Sequence, residues 1–124
     1  MRETAETVRE EVEGAVGDAL RVVSYFVPDG GEVVYMRADI REEYSEDTDE
    51  RVLEHARLES TAKPAYDHLF DGEMQATTRV FPETLVTVVP TGQGEGILFS
   101  LDKYASYDYV TVVDTVERLL DGDE

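Results

Sequence analysis

Three glycines at alternate positions are the first residues of this sequence that could do chemistry. They are Gly92, Gly94 and Gly96, in the stretch PTGQGEGILFS. Glycine loops bind phosphate when a strand precedes them and a helix follows, because the first amides of that helix face the anion. Here a strand-like segment follows, and the sequence has no Gly-Lys pair before Ser or Thr. We therefore interpret Gly92–Gly96 as a hairpin loop in which glycine supplies positive φ angles, and a role in contacting a partner stays open.

The two histidines, His55 and His68, are the next candidates for chemistry. Histidine ligands on one helix face are typically four residues apart, whereas these two are separated by thirteen positions and by Pro64. His55 and Glu59 do have the i, i+4 spacing, but one such pair is a weak signal. No GxSxG stretch supports a serine nucleophile either. The sequence therefore predicts no catalytic residue, no metal ligand and no cofactor.

Acidic residues are abundant, so their pairing carries little information. Pairs such as Glu10-Glu11 and Glu42-Glu43 fit a solvated surface better than acid-base machinery. The stretch DTDE, Asp47–Glu50, lacks the later glycine and glutamate that a calcium loop needs. A loosely held cation at this stretch stays open.

Five tyrosines offer a different kind of site. Tyr104, Tyr107 and Tyr109 precede or open the last predicted helix, and Tyr25 and Tyr35 lie on the first predicted hairpin. Half-buried packing would explain them, but tyrosine is also enriched at protein interfaces. We expect these five residues to be the candidate interface.

Charge is the most pronounced property of the composition. The chain of 124 residues has 29 acidic and 11 basic residues, for a formal net charge of −18, and its only lysines are Lys63 and Lys103. Such a charge repels itself in the folded state at low salt, and dissolved ions screen that repulsion. The composition therefore predicts a halophilic source, an archaeon. An acidic regulatory protein of a mesophile is the alternative, but it leaves acid spread over the whole chain unexplained.

The same composition disfavours several function classes. Nucleic-acid binding needs a basic face, which only Arg21, Arg37 and Arg79 could assemble locally. Residues 1–20 have no apolar signal-peptide core, and no apolar run is long enough to span a bilayer, so we expect a cytoplasmic protein that binds neither nucleic acid nor membrane. The absence of cysteine excludes disulfides, thiolate metal sites and a cysteine nucleophile.

Hydrophobic periodicity predicts three amphipathic helices. They span, in chain order, Val8–Leu20, Asp49–Phe70 and Tyr109–Leu120. Pro64 must break or kink the second one. The acidic residues 38–50 predict a loop or a fraying helix, with Ser45 or Thr48 as a cap. The last residues, Asp121–Glu124, predict a solvated end.

Stretches rich in β-branched and aromatic residues predict five strands. They are Arg21–Val27, Glu32–Arg37, Glu73–Phe81, Thr84–Val89 and Gly96–Leu101. Consecutive strands joined by short turns, such as PDGG at Pro28–Gly31, form an antiparallel sheet. The order α-β-β-α-β-β-β-α therefore predicts the α+β class: one domain, residues 1–124, with a five-stranded antiparallel sheet flanked by three helices.

This order of elements resembles the roadblock/LC7 and profilin-like group over nearly the whole chain, as topology. The resemblance implies a sheet with strand order 2-1-5-4-3 between helices. It also implies a scaffold that often dimerises and serves as an adaptor. Sensor domains of the PAS and GAF types share part of the layout.

Two motifs carry a resemblance in sequence. The run VVY-R-DIRE-YS, Val33–Ser45, and the triplet SLD, Ser100–Asp102, are similar to those of a family of small haloarchaeal proteins. That resemblance supports the inferred habitat. It carries no known active site, so it assigns no functional residue here.

Three hypotheses for function follow. The first is a non-enzymatic cytoplasmic interaction module, a homodimer that acts as an adaptor or regulatory subunit. The second is a small-ligand sensor, with a pocket between the sheet and Asp49–Phe70 and with Tyr35, Phe99 or His68 in its lining. The third is an enzyme, which would need a cleft with a buried, perturbed carboxylate or histidine.

Overall fold

The computed structural model describes residues 1–122 of the chain. Its helices are α1 (Arg2–Val16), α2 (Ala38–Arg41), α3 (Glu46–Ser60), α4 (Lys63–Tyr66) and α5 (Tyr109–Leu120), and a 3₁₀ turn spans Gly17–Ala19. Its strands are β1 (Leu20–Val27), β2 (Gly30–Met36), β3 (Thr77–Val80), β4 (Thr84–Gly92) and β5 (Glu95–Asp102).

The five strands form one sheet in the order β2-β1-β5-β4-β3. Every neighbouring pair is antiparallel. The predicted fold class and the strand order implied by the roadblock resemblance are therefore confirmed. The two one-turn helices, α2 and α4, add to the three predicted helices.

The main core lies on the face of the sheet that α1 and α5 cover. Side chains alternate along a strand, so every second residue of β5 faces these helices. Ile97, Phe99 and Leu101 are fully buried there, together with Val8 of α1 and Val116 of α5. This face explains the apolar stripes of the first and last helices.

The opposite face of the sheet carries α3 and a smaller core. Leu53 and Ala56 of α3 pack against Phe26, Val88 and Leu98 of the sheet. The residues of this cluster lie towards the β4–β5 turn end of the face. The rest of the face has less cover.

The end of α3 is tied to two hairpins. Ser60 is buried, and its hydroxyl accepts a hydrogen bond from the amide of Gly94 at 2.7 Å. Arg57 donates from Nε to the carbonyl of Val27 at 2.8 Å and from Nη2 to that of Gly30 at 2.6 Å. The last turn of α3 therefore contacts both the β1–β2 and the β4–β5 turns.

The glycine-rich stretch is a hairpin, as interpreted. β4 ends at Gly92, β5 begins at Glu95, and the two strands pair on either side of the turn. Of the three glycines only Gly94 has a positive φ angle, +81°. Gly96 is needed for a different reason: a β carbon there would lie 2.4 Å from the carbonyl oxygen of Val89.

The predicted helix Asp49–Phe70 is wrong in its bounds. The hydroxyl of Ser45 accepts a hydrogen bond from the amide of Thr48 at 3.3 Å, so α3 begins at Glu46. It ends at Ser60, and Pro64 lies in the first turn of the separate helix α4. Proline lacks an amide hydrogen, so it is tolerated there and excluded from the interior of a continuous helix.

Other predicted bounds also change, and β2, β4 and β5 each differ by one to three residues at an end. The first helix ends at Val16, because Gly17 has a φ of +60°, and Leu20 begins β1. β3 is shorter than predicted, since the amide of Met74 donates to the carboxylate of Asp67 at 2.7 Å instead of to a strand. The predicted solvated end Asp121–Glu124 falls, from residue 123 onward, outside the described residues.

Candidate functional site

A half-open cavity of about 700 Å³ lies between the second face of the sheet and α3. The prediction of a pocket at this place is therefore confirmed. Its predicted lining is wrong, because Tyr35, Phe99 and His68 do not line it. Phe99 lies between Leu98 and Ser100, which do, so alternation along β5 turns its side chain to the other face.

The walls of the cavity are mainly aliphatic. Val22 of β1 and Val86 of β4 line it from the sheet, and Val52 and Ala56 line it from α3. Ile40 of α2 adds a further apolar contact at the β2 end. Because these elements are far apart in sequence, no local sequence pattern predicts the cavity.

Two buried serines stand out among the polar residues of the cavity. Ser24 and Ser100 are 2% and 6% exposed, and both line the cavity from neighbouring strands. Ser24 pairs with Leu98, two residues before Ser100, so the two serines are diagonal neighbours on one face. Within residues 1–122 neither hydroxyl has a hydrogen-bond partner, although each can donate one bond and accept two.

The charged residues of the cavity comprise two arginines and two carboxylates, each with a partner of opposite sign. Arg79 and Glu59 pair with each other at 2.7 Å. Arg41 donates to Asp49 at 3.0 Å, and Arg21 donates to Asp102 at 3.1 Å. These pairings leave the cavity without an evident excess charge.

An ion-pair network lies at the end of the sheet beside the cavity. Arg37 donates to Asp102 at 2.7 Å and to Asp39 at 2.6 Å, and it also reaches the carbonyl of Asp18 at 2.7 Å. Arg21 donates to the same Asp102 at 3.1 Å. The motifs Val33–Ser45 and Ser100–Asp102, which are far apart in sequence, therefore meet in one structural network.

The network changes the ionisation of its carboxylates. Partial burial opposes ionisation of Asp102, but the hydrogen bonds from Arg37 and Arg21 outweigh it, so the pKa of this carboxyl group lies below its ordinary value. The hydrogen bond from Arg37 also lowers the pKa of Asp39. The two carboxylates in turn raise the pKa of the Arg37 guanidinium group.

Asp102→Asn should destabilise the protein at neutral pH, because two arginines lose a charged acceptor. A hydrogen bond to a charged group contributes about 1.5–3 kcal/mol. The depressed pKa means that this contribution is present above the unfolded-state pKa, about 3.9, and is lost as the pH falls through the folded-state value. Urea unfolding should therefore show a deficit in the free energy of unfolding at neutral pH that disappears as the pH falls through the lowered folded-state pKa of Asp102.

Asp114→Asn is the matched control for that experiment, since Asp114 is an exposed acid on α5 and the charge change is identical. It should unfold at nearly the same urea concentration as the unchanged protein. Equal losses in both variants would contradict a stabilising role for the network.

The candidate interface tyrosines are not gathered in one place. Tyr25 is half-buried and donates to Glu32 at 2.7 Å, which raises the pKa of its hydroxyl group. Tyr35 lies under the guanidinium group of Arg9, whose central carbon is 4.6 Å from the ring centre. Tyr107 is half-buried and donates to the backbone carbonyl at the end of β5, and burial raises its pKa.

The last two tyrosines differ in exposure. The hydroxyl of Tyr109 hydrogen-bonds to those of Thr78 on β3 and Thr87 on β4, so it joins α5 to the sheet. Tyr104 is 80% exposed in the loop before α5. Four of the five tyrosines thus have packing or hydrogen-bonding roles, and their use as an interface stays a prediction.

The histidines have separate places. His55 lines the cavity from α3, and His68 lies in the turns after α4. Within residues 1–122, no three histidine, cysteine or acidic residues are grouped as a metal site would need. No helix among those residues is long and apolar enough to cross a membrane.

A second candidate surface is the outer edge of the sheet. β3 is the last strand in the sheet order and pairs with β4 alone among the described strands. Large apolar side chains are unusually exposed between residues 58 and 81, which hold six of the eleven found in the described chain. They are Leu58, Tyr66, Leu69, Phe70, Val80 and Phe81. No sequence pattern marks this edge as a site.

Solved structures share the fold. A roadblock/LC7 domain from Streptomyces avermitilis superposes with a TM-score of 0.60 at 12% identity, over 98% of this chain and 92% of that one. MglC from Myxococcus xanthus superposes with a TM-score of 0.53 at 16% identity, over 98% and 99%. No curated protein matches the chain. Residues 6–121 match the family described as a domain of unknown function, DUF7522, and the chain belongs to that family.

Proposed function

We propose that this chain is a non-enzymatic protein-interaction module that works as a homodimer in the cytoplasm of a halophile. The observation that carries the proposal is the outer edge of β3. An edge strand presents unpaired backbone amides and carbonyls to any chain that can extend the sheet. Val80 at the end of β3 and the adjacent Phe81 are 62% and 49% exposed, so the edge also offers apolar area.

A second copy is the partner that fits this edge best. Two-fold symmetry brings β3 of each copy together in antiparallel orientation. The unpaired backbone amides and carbonyls of both edges then hydrogen-bond to each other. Each copy has a net charge of −18, so the two repel one another at long range. Molar salt screens that repulsion, so the dimer would be stable in the salt-rich cytoplasm of a halophile.

The roadblock/LC7 fold supports this proposal as an analogy, because domains of that fold act in protein-protein interactions and often dimerise. An adaptor or regulatory role would follow if the dimer presents its remaining surface to a third protein. Tyr104 is the exposed member of the predicted tyrosine interface and is available for such a contact.

Val80→Arg should dissociate the dimer. The substitution places a long charged side chain where the apolar edge would be buried, and we expect the dimer dissociation constant to rise by at least about tenfold. Sedimentation equilibrium in molar KCl measures it. Val110→Arg, at an exposed position of α5 next to Tyr109, is the matched control and should leave the dimer intact.

Two outcomes would count against the proposal. A wild-type protein that stays monomeric at high concentration in molar KCl would remove the homodimer. Dissociation by Val110→Arg but not by Val80→Arg would move the contact from β3 to the tyrosines around the start of α5.

A small-ligand sensor is the second candidate, and the cavity between the sheet and α3 favours it. Its volume of about 700 Å³ falls within the range of about 300–1,000 Å³ that is usual for ligand sites. No observation within residues 1–122 favours the third hypothesis, an enzyme.

A further inference from the structure

We propose that the cavity between the sheet and α3 binds an uncharged, mainly aliphatic molecule that carries one hydroxyl or carbonyl group, and that Ser24 and Ser100 bind this group. The inference rests on the second candidate function, the ligand sensor, and names the class of ligand. It names a different occupant from the contact proposed for β3, although Phe81 belongs to both surfaces.

The lining determines the body of the ligand. The side chains that face the cavity from Val22, Val86, Val52 and Ile40 are aliphatic, and none of them can form a hydrogen bond. Water beside such surfaces is displaced favourably by an apolar molecule. An alkyl or isoprenoid-like body therefore suits these walls better than a sugar or a nucleotide, whose many polar groups would lose their water without replacement.

The serines determine the polar group. Ser24 and Ser100 lie diagonally on neighbouring strands and face the same cavity. Neither hydroxyl has a protein partner among the described residues, and neither belongs to the fully buried atoms that lack one, so both are open to a polar group in the cavity. One hydroxyl or carbonyl oxygen on the ligand can accept from one serine and, as a hydroxyl, donate to the other.

The charges around the cavity determine the net charge of the ligand. Arg79 is paired with Glu59, and Arg21 with Asp102, so neither arginine is available for a carboxylate or phosphate without breaking an ion pair. Asp49 is similarly paired with Arg41, which leaves it a poor counter-ion for a cation. The net charge of −18 further disfavours anions. A neutral ligand is the class that none of these pairs opposes.

Three probes of equal chain length test the proposal. Octan-1-ol, octanoate and octylammonium are titrated calorimetrically into the full chain in molar KCl. We expect octan-1-ol to bind one molecule per chain, with an affinity at least about tenfold higher than that of either charged probe. The double variant Ser24→Ala, Ser100→Ala should lower the affinity for octan-1-ol by at least about fivefold, because it keeps the apolar walls and removes both hydroxyls.

Val86→Trp is designed to fill the cavity, and Val110→Trp on the exposed face of α5 is its matched control. Loss of octan-1-ol binding in the first variant alone supports the proposal. Should Val86→Trp fail to fold, the serine double variant decides by itself: unchanged octan-1-ol affinity overturns the role of the hydroxyls.

The remaining outcomes separate the ligand class from the sensor function. If a charged probe binds best and Val86→Trp abolishes that binding, the neutral class is wrong while the cavity remains a ligand site. If none of the probes binds, or if both tryptophan variants behave alike, the ligand site and the sensor candidate are both overturned. Dissociation of a dimer by Val86→Trp without any probe binding would identify the cavity as an interface between copies.

Discussion

Gly96→Ala should destabilise this protein by about 3 kcal/mol or more, equivalent to a fall of roughly 10 °C in melting temperature for a chain of this size. The added methyl group would lie 2.4 Å from the carbonyl oxygen of Val89, 2.8 Å from the Cα of Pro90 and 3.0 Å from the ring of Phe26. Two of these three contacts are with backbone atoms, which cannot rotate away.

The surroundings of Gly96 prevent relaxation. Gly96 lies in the central strand β5 and pairs with Phe26 on one side and with Pro90 on the other. A shift of β5 that relieves the clash with β4 would therefore create a clash with β1. Thermal unfolding followed by circular dichroism measures the loss.

Gly14→Ala is the matched control, since it is the same substitution at an exposed position in the last turn of α1, where a β carbon meets nothing within 4 Å. Alanine favours helix over glycine by up to about 1 kcal/mol, so this variant should melt at a slightly higher temperature. A Gly96→Ala variant that melts like the unchanged protein would contradict the close packing of β5 against its two neighbours at this position.

The melting temperature should rise by more than about 10 °C when KCl is increased from about 0.1 M to about 2 M, and then level off. The physical reason is the net charge of −18 on 124 residues. Repulsion acts over about 10 Å at the lower concentration and over less than about 3 Å at the higher one. A melting temperature that does not change with KCl concentration would contradict the inference of a halophilic source.

A charge variant separates screening from other salt effects. Glu10, Glu11, Glu42 and Glu43 are exposed acids, and their replacement by glutamine leaves shape nearly unchanged while removing four negative charges. The variant should melt above the unchanged protein at low KCl and approach it at high KCl. Parallel curves would mean that salt acts through hydration of apolar surface rather than through charge.

The fold was predictable because its determinants are local. Apolar periodicity marks α1 and α5, and the turn PDGG and Gly94 mark two hairpins. The errors arose where a single side-chain contact, rather than a repeating pattern, decides. The carboxylate of Asp67 holds the amide of Met74 and shortens β3, an interaction that no local pattern contains.

The candidate site was predictable in position but not in composition. β5 is apolar on both of its faces, so the sequence could not tell that Phe99 faces α1 and α5 while Leu98 and Ser100 face the cavity. The network of Arg37 and Asp102 was equally hidden, since the two residues are 65 positions apart. Arg37 and Asp102 each lie in one of the two sequence motifs, Val33–Ser45 and Ser100–Asp102. That placement marked both residues, but it did not show that the two motifs contact each other.

The polar contacts of α3 with the rest of the fold are concentrated at its C-terminal end. Its last turn is fixed to two hairpins by Arg57 and Ser60, whereas its first turns, which border the cavity, reach α2 through the surface pair of Asp49 and Arg41. An exposed ion pair contributes little, typically less than about 1 kcal/mol. The end of α3 that borders the cavity is therefore tied to the rest of the fold by weaker polar contacts than the end at Ser60.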